Sequence, residues 1–464
     1  MTAQREKWGS KLGFILAAAG SAVGIGNIWK YPHMAGQNGG SAFTIVYLIC
    51  IFLVGLSIVI AEFAIGRKTQ LSPVGAFEKL APGTSWKYAG FLGVASAFVI
   101  LSFYGVVGGW ILKYVVDSIS GGFSQLAGNP DASSAIFGTF IESTWSPLFY
   151  QIFFMSLCMW VIINGVKGGI EKWSSIMMPL IIVLLAVLAV RGITLDGGMK
   201  GLSFLFNPRF EDLTPSSIVL ALGHSFFTVS LGMGTMITYG SYLDRKQNLL
   251  TSALWIIVID TLIALLAGIA IFTTVFALGA NPAEGPGLIF VVLPSVFPQL
   301  AGGTIWATMF FFLLFMAALT SAISILEVQT AYLIDQKNWS RKKATLLFGS
   351  IVTVIGIFCS LSLGGGINLA SIFGDSFFLG ETFFDVMDNL SSKYMLPIGG
   401  MFTALFILIK WGVPSFIKEL NQKIIGKNED ALLVKIFCIV SALVVFFIII
   451  NEIIETFTGI TIIG

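Results

Sequence analysis

Two apolar segments of the sequence are interrupted near their middles by small residues that leave the backbone exposed. The first interruption spans residues 20–27, GSAVGIGN, and the second spans residues 226–234, FFTVSLGMG. Backbone groups without partners are costly in hydrocarbon, so an unwound turn there must face protein or a wet cavity. Free amides at the start of a half-helix attract a carboxylate, and carbonyls at the end of one suit a cation. The pattern therefore predicts a site that accepts both kinds of charge.

Oxygen-bearing side chains accompany these interruptions, at Asn27, Thr228 and Ser230. Asp260 lies within the apolar run 254–266, where a carboxylate costs at least about 2.5 kcal/mol and so indicates a functional group with a cationic partner. Thr320 and Ser321 are adjacent hydroxyls in another apolar segment, although such groups commonly bond back to the preceding helical turn. Glu62 could either snorkel or cap free backbone amides. Together these groups indicate a site built from oxygen atoms.

Close helix packing is the alternative explanation for the glycines, since small residues let membrane helices approach one another. The first interruption alone does not decide between packing and binding. Two interruptions in corresponding positions of the two halves of one chain favour a binding site near the membrane midplane.

The composition is that of a protein that crosses a membrane many times. The chain has 464 residues, of which 56% are hydrophobic and 11% are charged, whereas soluble domains carry about 25% charged residues. Segments of about 20 apolar residues are long enough to span a bilayer. We predict eleven spans, at residues 12–35, 42–65, 88–116, 147–163, 173–190, 215–242, 249–278, 304–334, 344–363, 382–411 and 433–453.

Lysine and arginine are concentrated in the connectors on one side of these spans, for example at Arg67, Lys172 and Lys343. By the positive-inside rule the N-terminus is cytoplasmic, and eleven spans put the C-terminus outside the cell. The protein is accordingly predicted to lie in the plasma or inner membrane. Residues 119–146 are predicted to form a polar outer loop. Residues 279–303 carry apolar residues of their own, so we predict a packed extracellular lid.

Several function classes are not expected from this sequence. The four cysteines stand singly inside apolar runs, and two histidines cannot build a multi-histidine metal centre. No nucleophile–base pairing or phosphate-binding loop is apparent, so we predict no enzymatic activity and no nucleic-acid partner. The apolar run that follows Met1–Lys11 is longer than a signal-peptide core, and no cleaved leader is expected.

Residues 20–32, GSAVGIGNIWKYP, resemble the signature of the neurotransmitter:sodium symporters. Further matches follow in order at residues 38–40 (NGG), 62–67 (EFAIGR), 226–232 (FFTVSLG) and 319–321 (LTS), so that the resemblance covers roughly residues 5–412. This family is itself the usual example of broken helices around a midplane site, so the two arguments are not independent.

The resemblance implies an all-α polytopic membrane protein with the LeuT-like arrangement. In that fold two inverted five-helix repeats contain unwound first and sixth helices, and one extra C-terminal helix gives the eleven-helix bacterial form. The corresponding division of the chain is a cytoplasmic gate segment at 1–11, a first repeat at 12–190, a second repeat at 215–411 and the last helix at 433–453.

The resemblance also implies two sodium sites and one amino-acid site in the bilayer. The first sodium would bind Ala22, Asn27, Thr228 and Asp260. The second sodium would bind Gly20, Val23, Ala317, Thr320 and Ser321. The amino acid would contact Ala22, Ile25, Gly26, Ile100, Tyr104, Phe227, Thr228, Ser230, Met233, Ser321, Ala322 and Ile325.

Gly24 indicates the substrate class. Amine transporters of the family carry an aspartate there, whereas Gly24 leaves room for a substrate that brings its own carboxylate. We therefore expect a neutral α-amino acid. Met233 and Ala322 suggest a roomy, adaptable pocket for a hydrophobic or aromatic side chain.

The resemblance further implies gates on both sides of the site. Inside, Arg5 would pair with Asp335 beside Trp8 and Tyr242. Outside, Lys30 would pair with Asp388. Lysine replaces the arginine common at that position and lacks its bidentate geometry. Ser21 and His224 likewise replace amides that are found in some relatives.

Chloride is not expected as a cofactor, because Asp260 places a fixed negative charge where chloride-dependent relatives have a serine or asparagine. Two alternatives remain open from the sequence. One is a transporter of the same fold driven by protons or by a single sodium ion. The other is a sensor that binds the amino acid without transporting it.

Overall fold

The computed structural model describes residues 5–282, 287–364, 380–420 and 428–458. Its helices are α1 (Lys11–Ala22), α2 (Gly26–Gln37), α3 (Ser41–Thr69), α4 (Pro73–Leu80), α5 (Lys87–Ile119), α6 (Pro130–Glu142), α7 (Trp145–Ile163), α8 (Val166–Ile193), α9 (Gly198–Phe206), α10 (Pro215–Thr228), α11 (Thr235–Gly240), α12 (Leu249–Ala277), α13 (Leu288–Gln299), α14 (Gly303–Lys337), α15 (Arg341–Leu363), α16 (Phe383–Trp411), α17 (Val413–Leu420) and α18 (Asn428–Thr458).

Eight of the helices in the described ranges are individually long and apolar enough to cross a bilayer, namely α3, α5, α7, α8, α12, α14, α15 and α16. The pair α1 and α2 passes the same test together, with a bend of 50° between them. This architecture confirms the predicted class, an all-α polytopic membrane protein. Helix α18 covers the eleventh predicted span.

The predicted interruption of the first span lies between α1 and α2. Helix α1 ends at Ala22, and Val23 turns to an extended conformation with ψ 104°. A Cβ atom on Gly24 would lie 2.8 Å from the Tyr104 hydroxyl and 3.0 Å from Ser321 Cβ. Only glycine therefore lets the backbone pass this close to α5 and α14.

The second predicted interruption divides the sixth span into α10 and α11. Between them Ser230, Gly232 and Gly234 have φ angles of 53°, 76° and 76°, a left-handed backbone that glycine adopts most readily. A Cβ atom on Gly232 would also lie 2.1 Å from the Leu396 carbonyl oxygen. The break is therefore fixed both by backbone conformation and by contact with α16.

Helix α14 lies at the centre of the bundle. It packs along α5 and also contacts α1, α7, α8 and α15, and 83% of its most apolar window is buried. Helix α1 packs against α8, α12 and α14. The two breaks are thereby held against continuous helices, which supply rigid walls for whatever occupies the space between them.

The two connections that are predicted to lie outside the cell contain more helix than the sequence suggested. The predicted polar loop at 119–146 includes α6, whose first turn is capped by the Asn129 side chain accepting from the Ala132 amide at 3.0 Å. Within the predicted lid, α13 packs its Phe290 ring 5.6 Å from Trp29 and 5.8 Å from Trp110. Residues 283–286 of that lid, residues 1–4 of the gate segment and Gly464 lie outside the described residues.

Candidate functional site

A cavity lies where the two breaks meet α5 and α14. Eleven residues line it: Ala22, Gly24, Ile25, Gly26, Ile100, Tyr104, Phe227, Ser230, Met233, Ser321 and Ile325. Ten of these are among the twelve predicted substrate contacts, and Gly24 is the addition. The sequence therefore located most of this cavity, although the role of these residues in binding stays a prediction.

Thr228 and Ala322 are the two predicted contacts that do not line the cavity. The Thr228 hydroxyl instead lies 3.3 Å from Asp260 Oδ1. Ala322 is fully buried and follows Ser321 on α14, so its side chain points about 100° away around the helix. The contribution of Ala322 to the pocket stays a prediction, whereas Ser321 and Ile325, one turn apart, share the lining face.

The polar end of the cavity is formed by α2 and Tyr104. The Ile25 amide donates to the Tyr104 hydroxyl oxygen at 3.3 Å, and Gly24 lies against the same hydroxyl. This end joins the N-terminus of a helical segment, where the dipole is positive, to a phenol that can also donate. Such a combination suits a carboxylate.

Asp260 is buried at the centre of a second group, the Asp260 cluster, which comprises Asn27, Tyr47, Thr228 and Asp260. The Asn27 amide donates to Asp260 Oδ1 at 2.8 Å, and the Tyr47 hydroxyl donates to Oδ2 at 3.3 Å. All four residues are buried. No ion pair to Asp260 occurs among the residues that the structure describes. A buried carboxylate with only neutral donors favours a cation beside it.

His224 packs beside the Asp260 cluster. Its ring centroid lies 5.3 Å from that of Tyr47. Neither ring nitrogen has a hydrogen-bond partner in the described part of the chain, although the side chain is buried.

The residues predicted for the second sodium lie where α1 meets α14. A Cβ atom on Gly20 would be 3.3 Å from Thr320 Cβ, and Val23 is the C-cap residue that directly follows α1. The Thr320 hydroxyl lies 3.0 Å from the Ala317 carbonyl and 3.1 Å from the Met316 carbonyl. The back-bonding expected of a helical threonine is therefore present, and it keeps the lone pairs of this hydroxyl available as acceptors.

The N-terminal segment closes one end of the bundle. Arg5 contacts Asp335, donates to the Ser241 hydroxyl at 2.5 Å, and lies 4.6 Å above the Tyr242 ring. The Trp8 indole donates to the Tyr239 carbonyl at 3.0 Å. These contacts, which we call the inner latch, join residues 5–8 to α11 and to the end of α14.

The sequence analysis missed a buried ion pair next to the inner latch. Arg341 Nη1 lies 2.6 Å from Glu327 Oε2, and its Nε lies 2.7 Å from Glu6 Oε1. The Tyr242 hydroxyl donates to Glu327 Oε1 at 2.5 Å. A carboxylate within the apolar part of a spanning segment was the available signal, but Arg341 could be matched to it only once α14 and α15 were packed.

The opposite end of the site carries the Lys30–Asp388 pair. Lys30 Nζ lies 3.0 Å and 3.3 Å from the two carboxylate oxygens of Asp388. It also lies 4.2 Å from the centre of the Phe227 ring, and Phe227 lines the cavity. Glu62, for its part, accepts from the Gly232 amide at 2.9 Å, which identifies it as a cap for the second break.

Comparisons with known proteins agree with this geometry. The family model described as the sodium:neurotransmitter symporter family matches residues 5–127 and 142–461. The uncharacterized sodium-dependent transporter YhdH of Bacillus subtilis (strain 168) is 41% identical over 416 residues, which cover 90% of each chain. An uncharacterized sodium-dependent transporter of Haemophilus influenzae is 34% identical over 417 residues, which cover 87% of this chain and 89% of the relative.

A solved structure is also similar over nearly the whole chain. The crystal structure of MhsT in complex with L-phenylalanine superposes with a TM-score of 0.87 at 44% identity, and the match covers 96% of this chain and 99% of that one. This similarity confirms the predicted LeuT-like fold class.

Proposed function

Because this chain belongs to the sodium:neurotransmitter symporter family and is thus a sodium-dependent membrane transporter of a small molecule, we propose that it carries a neutral α-amino acid together with sodium. The observation that carries this proposal is the polar end of the cavity, where Gly24, the Ile25 amide and the Tyr104 hydroxyl come together. The cycle proposed is alternating access in the cell membrane, with the N-terminus in the cytoplasm and the C-terminus outside.

Steric exclusion at Gly24 supports a substrate that has its own carboxylate. Any side chain at this position would meet Tyr104 and Ser321, so the protein supplies no acid there to pair with an amine. The Ile25 amide and the Tyr104 hydroxyl can each donate a hydrogen bond, and carboxylate oxygens accept such bonds. An α-amino acid meets these requirements and a simple amine does not.

The lining of the cavity supports a neutral, hydrophobic or aromatic side chain. Ile100, Phe227, Met233 and Ile325 provide apolar surface, and all eleven lining residues are uncharged. A charged substrate side chain would lose its hydration without gaining a partner, which is costly. The complex of MhsT with L-phenylalanine agrees with this choice.

We assign two sodium ions to the two groups of oxygen atoms. The first ion binds Ala22, Asn27, Thr228 and Asp260, next to the substrate carboxylate. The second ion binds Gly20, Val23, Ala317, Thr320 and Ser321. Carboxylate, carbonyl, amide and hydroxyl oxygens are the ligands that suit a hard cation. Chloride is not required, because Asp260 already supplies a negative charge.

Binding of radiolabelled L-phenylalanine and L-leucine to the purified protein tests this proposal. We expect saturable binding in sodium buffer, little binding in potassium buffer, and competition by other neutral hydrophobic amino acids. Phenethylamine, which has the ring and the amine but no carboxylate, is the matched competitor and should compete poorly. Equal binding in potassium, or competition by phenethylamine as strong as by L-phenylalanine, would contradict the proposal.

A further inference from the structure

A chain of serine groups connects the two broken segments to α14. The Ser230 hydroxyl donates to the Ser21 carbonyl oxygen at 2.9 Å. The Ser21 hydroxyl lies 2.7 Å from the Ser324 hydroxyl, which in turn donates to the Ser321 carbonyl at 2.7 Å. All four residues are buried. We call these four residues the serine relay.

The number of protons limits which hydrogen bonds the serine relay can form at one time. A serine hydroxyl carries one proton and two lone pairs. When Ser324 gives its proton to the Ser321 carbonyl, the Ser21 hydroxyl can donate to Ser324. Ser230 gives its own proton to the Ser21 carbonyl. The Ser21 and Ser230 hydroxyl oxygens are 3.4 Å apart, longer than a usual hydroxyl hydrogen bond.

This arrangement leaves the Ser230 hydroxyl oxygen as an acceptor at the cavity. Ser230 lines the cavity, its proton is committed to Ser21, and its remaining lone pairs can receive a proton from a donor group. A substrate ammonium is such a donor, whereas a hydroxyl in place of the ammonium would form a weaker, uncharged hydrogen bond.

The backbone at Ser230 supports a functional reason for its side chain. Three non-glycine residues in the described ranges have a positive φ, namely Gln70, Ser230 and Asn338. Gln70 and Asn338 each cap the C-terminus of a helix, where this conformation is common. Ser230 lies in the break instead, and glycine would adopt its φ of 53° with less strain. A serine therefore occupies a position where the backbone conformation favours glycine, which indicates a role for the Ser230 hydroxyl.

We propose that Ser21 and Ser324 are positioning residues for substrate recognition, which hold the Ser230 hydroxyl so that it accepts from the ammonium of the amino acid. The proposal rests on the proposed function, because it takes an α-amino acid as the substrate. Ser21 fixes the carbonyl that orients Ser230, and Ser324 anchors Ser21 to the continuous helix α14. The relay thereby makes selection for the amine depend on residues that do not line the cavity.

Substitution at three positions tests the relay. Ser230→Gly keeps a residue that tolerates the backbone and removes the acceptor, while Ser21→Ala and Ser324→Ala each remove one link. Binding is measured with radiolabelled L-phenylalanine and L-leucine, and by competition with L-phenyllactate, in which a hydroxyl replaces the ammonium. Ser225→Ala is the matched control, because Ser225 is buried and its hydroxyl donates to the Leu222 carbonyl of its own helix.

We expect Ser230→Gly to weaken binding of L-phenylalanine by about tenfold, the loss of one hydrogen bond to a charged group. Ser21→Ala and Ser324→Ala should each weaken it by about threefold, the loss of one neutral hydrogen bond that supports Ser230. Affinity for L-phenyllactate should change by less than about twofold, so that the preference for the amine falls. Ser21→Ala combined with Ser324→Ala should weaken L-phenylalanine no more than either change alone, because both act on the same link.

Two results would overturn the relay. One is unchanged L-phenylalanine affinity in Ser21→Ala and Ser324→Ala, and the other is an equal loss for L-phenylalanine and L-phenyllactate, which would indicate a general packing role. Sodium-dependent thermal stabilisation of each variant checks that it is folded. A folded wild-type protein that binds neither L-phenylalanine nor L-leucine would instead contradict the proposed function, and this inference with it.

Discussion

Asp260 determines how the proposed site balances its charges. Two sodium ions and a zwitterion bring two positive charges into a buried space, where unit charges at close range interact by several kcal/mol even at an effective dielectric constant near 20. The partners of Asp260 in this structure, Asn27, Tyr47 and Thr228, are neutral donors. The carboxylate can therefore offset one cation, and it would repel a chloride ion next to it.

The first prediction concerns the charge of this residue. Asp260→Asn should weaken the apparent sodium affinity by at least about tenfold, because loss of a charged ligand removes more than 1.4 kcal/mol. The remaining uptake should be stimulated by chloride. Sodium titrations of uptake in chloride and gluconate media measure both effects, with the exposed Asp244, which pairs with Lys7, changed to asparagine as the control. Wild-type uptake that collapses in gluconate would refute the assignment.

A second prediction at the residue scale concerns the hydroxyl pair on α14. Thr320→Ala combined with Ser321→Ala removes two of the proposed ligands of the second sodium. We expect sodium affinity to fall by at least about tenfold and concentrative uptake to be lost. Thr330→Ala is the control, since Thr330 lies on the same helix and is buried but contacts Thr345. If the double variant keeps the sodium dependence of the wild type, the second site lies elsewhere.

At the scale of elements, the inner latch joins the non-helical residues 5–8 to α11 and α14. Residues 5–8 contact Ser241 and Tyr242, which directly follow α11, and contact Asp335 at the end of α14. Asp335 also accepts from the Ser72 amide at 2.5 Å, immediately before α4. Separation of α11 from α14 would therefore require the Arg5 contacts to break first.

This geometry predicts that Arg5→Ala opens the predicted cytoplasmic side. A reporter cysteine at Thr238 on α11, four residues before Tyr242, should react faster with a membrane-impermeant thiol reagent when Arg5 is replaced by alanine. Lys7→Ala is the matched control, because Lys7 lies in the same segment and pairs with Asp244 at the surface. The latch assignment fails if the two variants label at the same rate.

The sequence predicted the breaks in the helices better than it predicted what surrounds them. Residues 20–27 and 226–234 carry their own signal, because glycine and serine allow a local departure from helix. Helix α6 was missed because it is too short and too polar to resemble a membrane span, and it lies inside a connection that was predicted as a polar loop. The Glu327–Arg341 pair was missed because its residues belong to different helices, and only their packing brings the charges together.

At the scale of the whole molecule, the cavity lies between two closed ends. The Arg5–Asp335 contact is formed at one end and the Lys30–Asp388 contact at the other, with Phe227 between Lys30 and the cavity. Both contacts are thus formed at the same time in this structure. Alternating access requires that the two contacts break in turn rather than together.

The arrangement of the helices could be predicted from the sequence only because the sequence resembles a known family. Hydropathy gave the spans and their approximate ends, but it does not say which helices touch. The cavity is lined by selected residues of four segments, 22–26, 100–104, 227–233 and 321–325, which long-range packing brings together. All twelve substrate contacts, including Thr228 and Ala322, came from the resemblance to the family, and their role in binding stays a prediction.

Uptake by reconstituted proteoliposomes tests the central claim, that a sodium gradient drives entry of a neutral α-amino acid. With sodium outside, potassium inside and equal pH on both sides, radiolabelled L-phenylalanine or L-leucine should accumulate above its equilibrium level. An inside-negative potential should increase the accumulation, because the proposed cargo carries net positive charge. Accumulation that does not need sodium and follows an imposed proton gradient, or sodium-dependent binding without accumulation, would contradict the account.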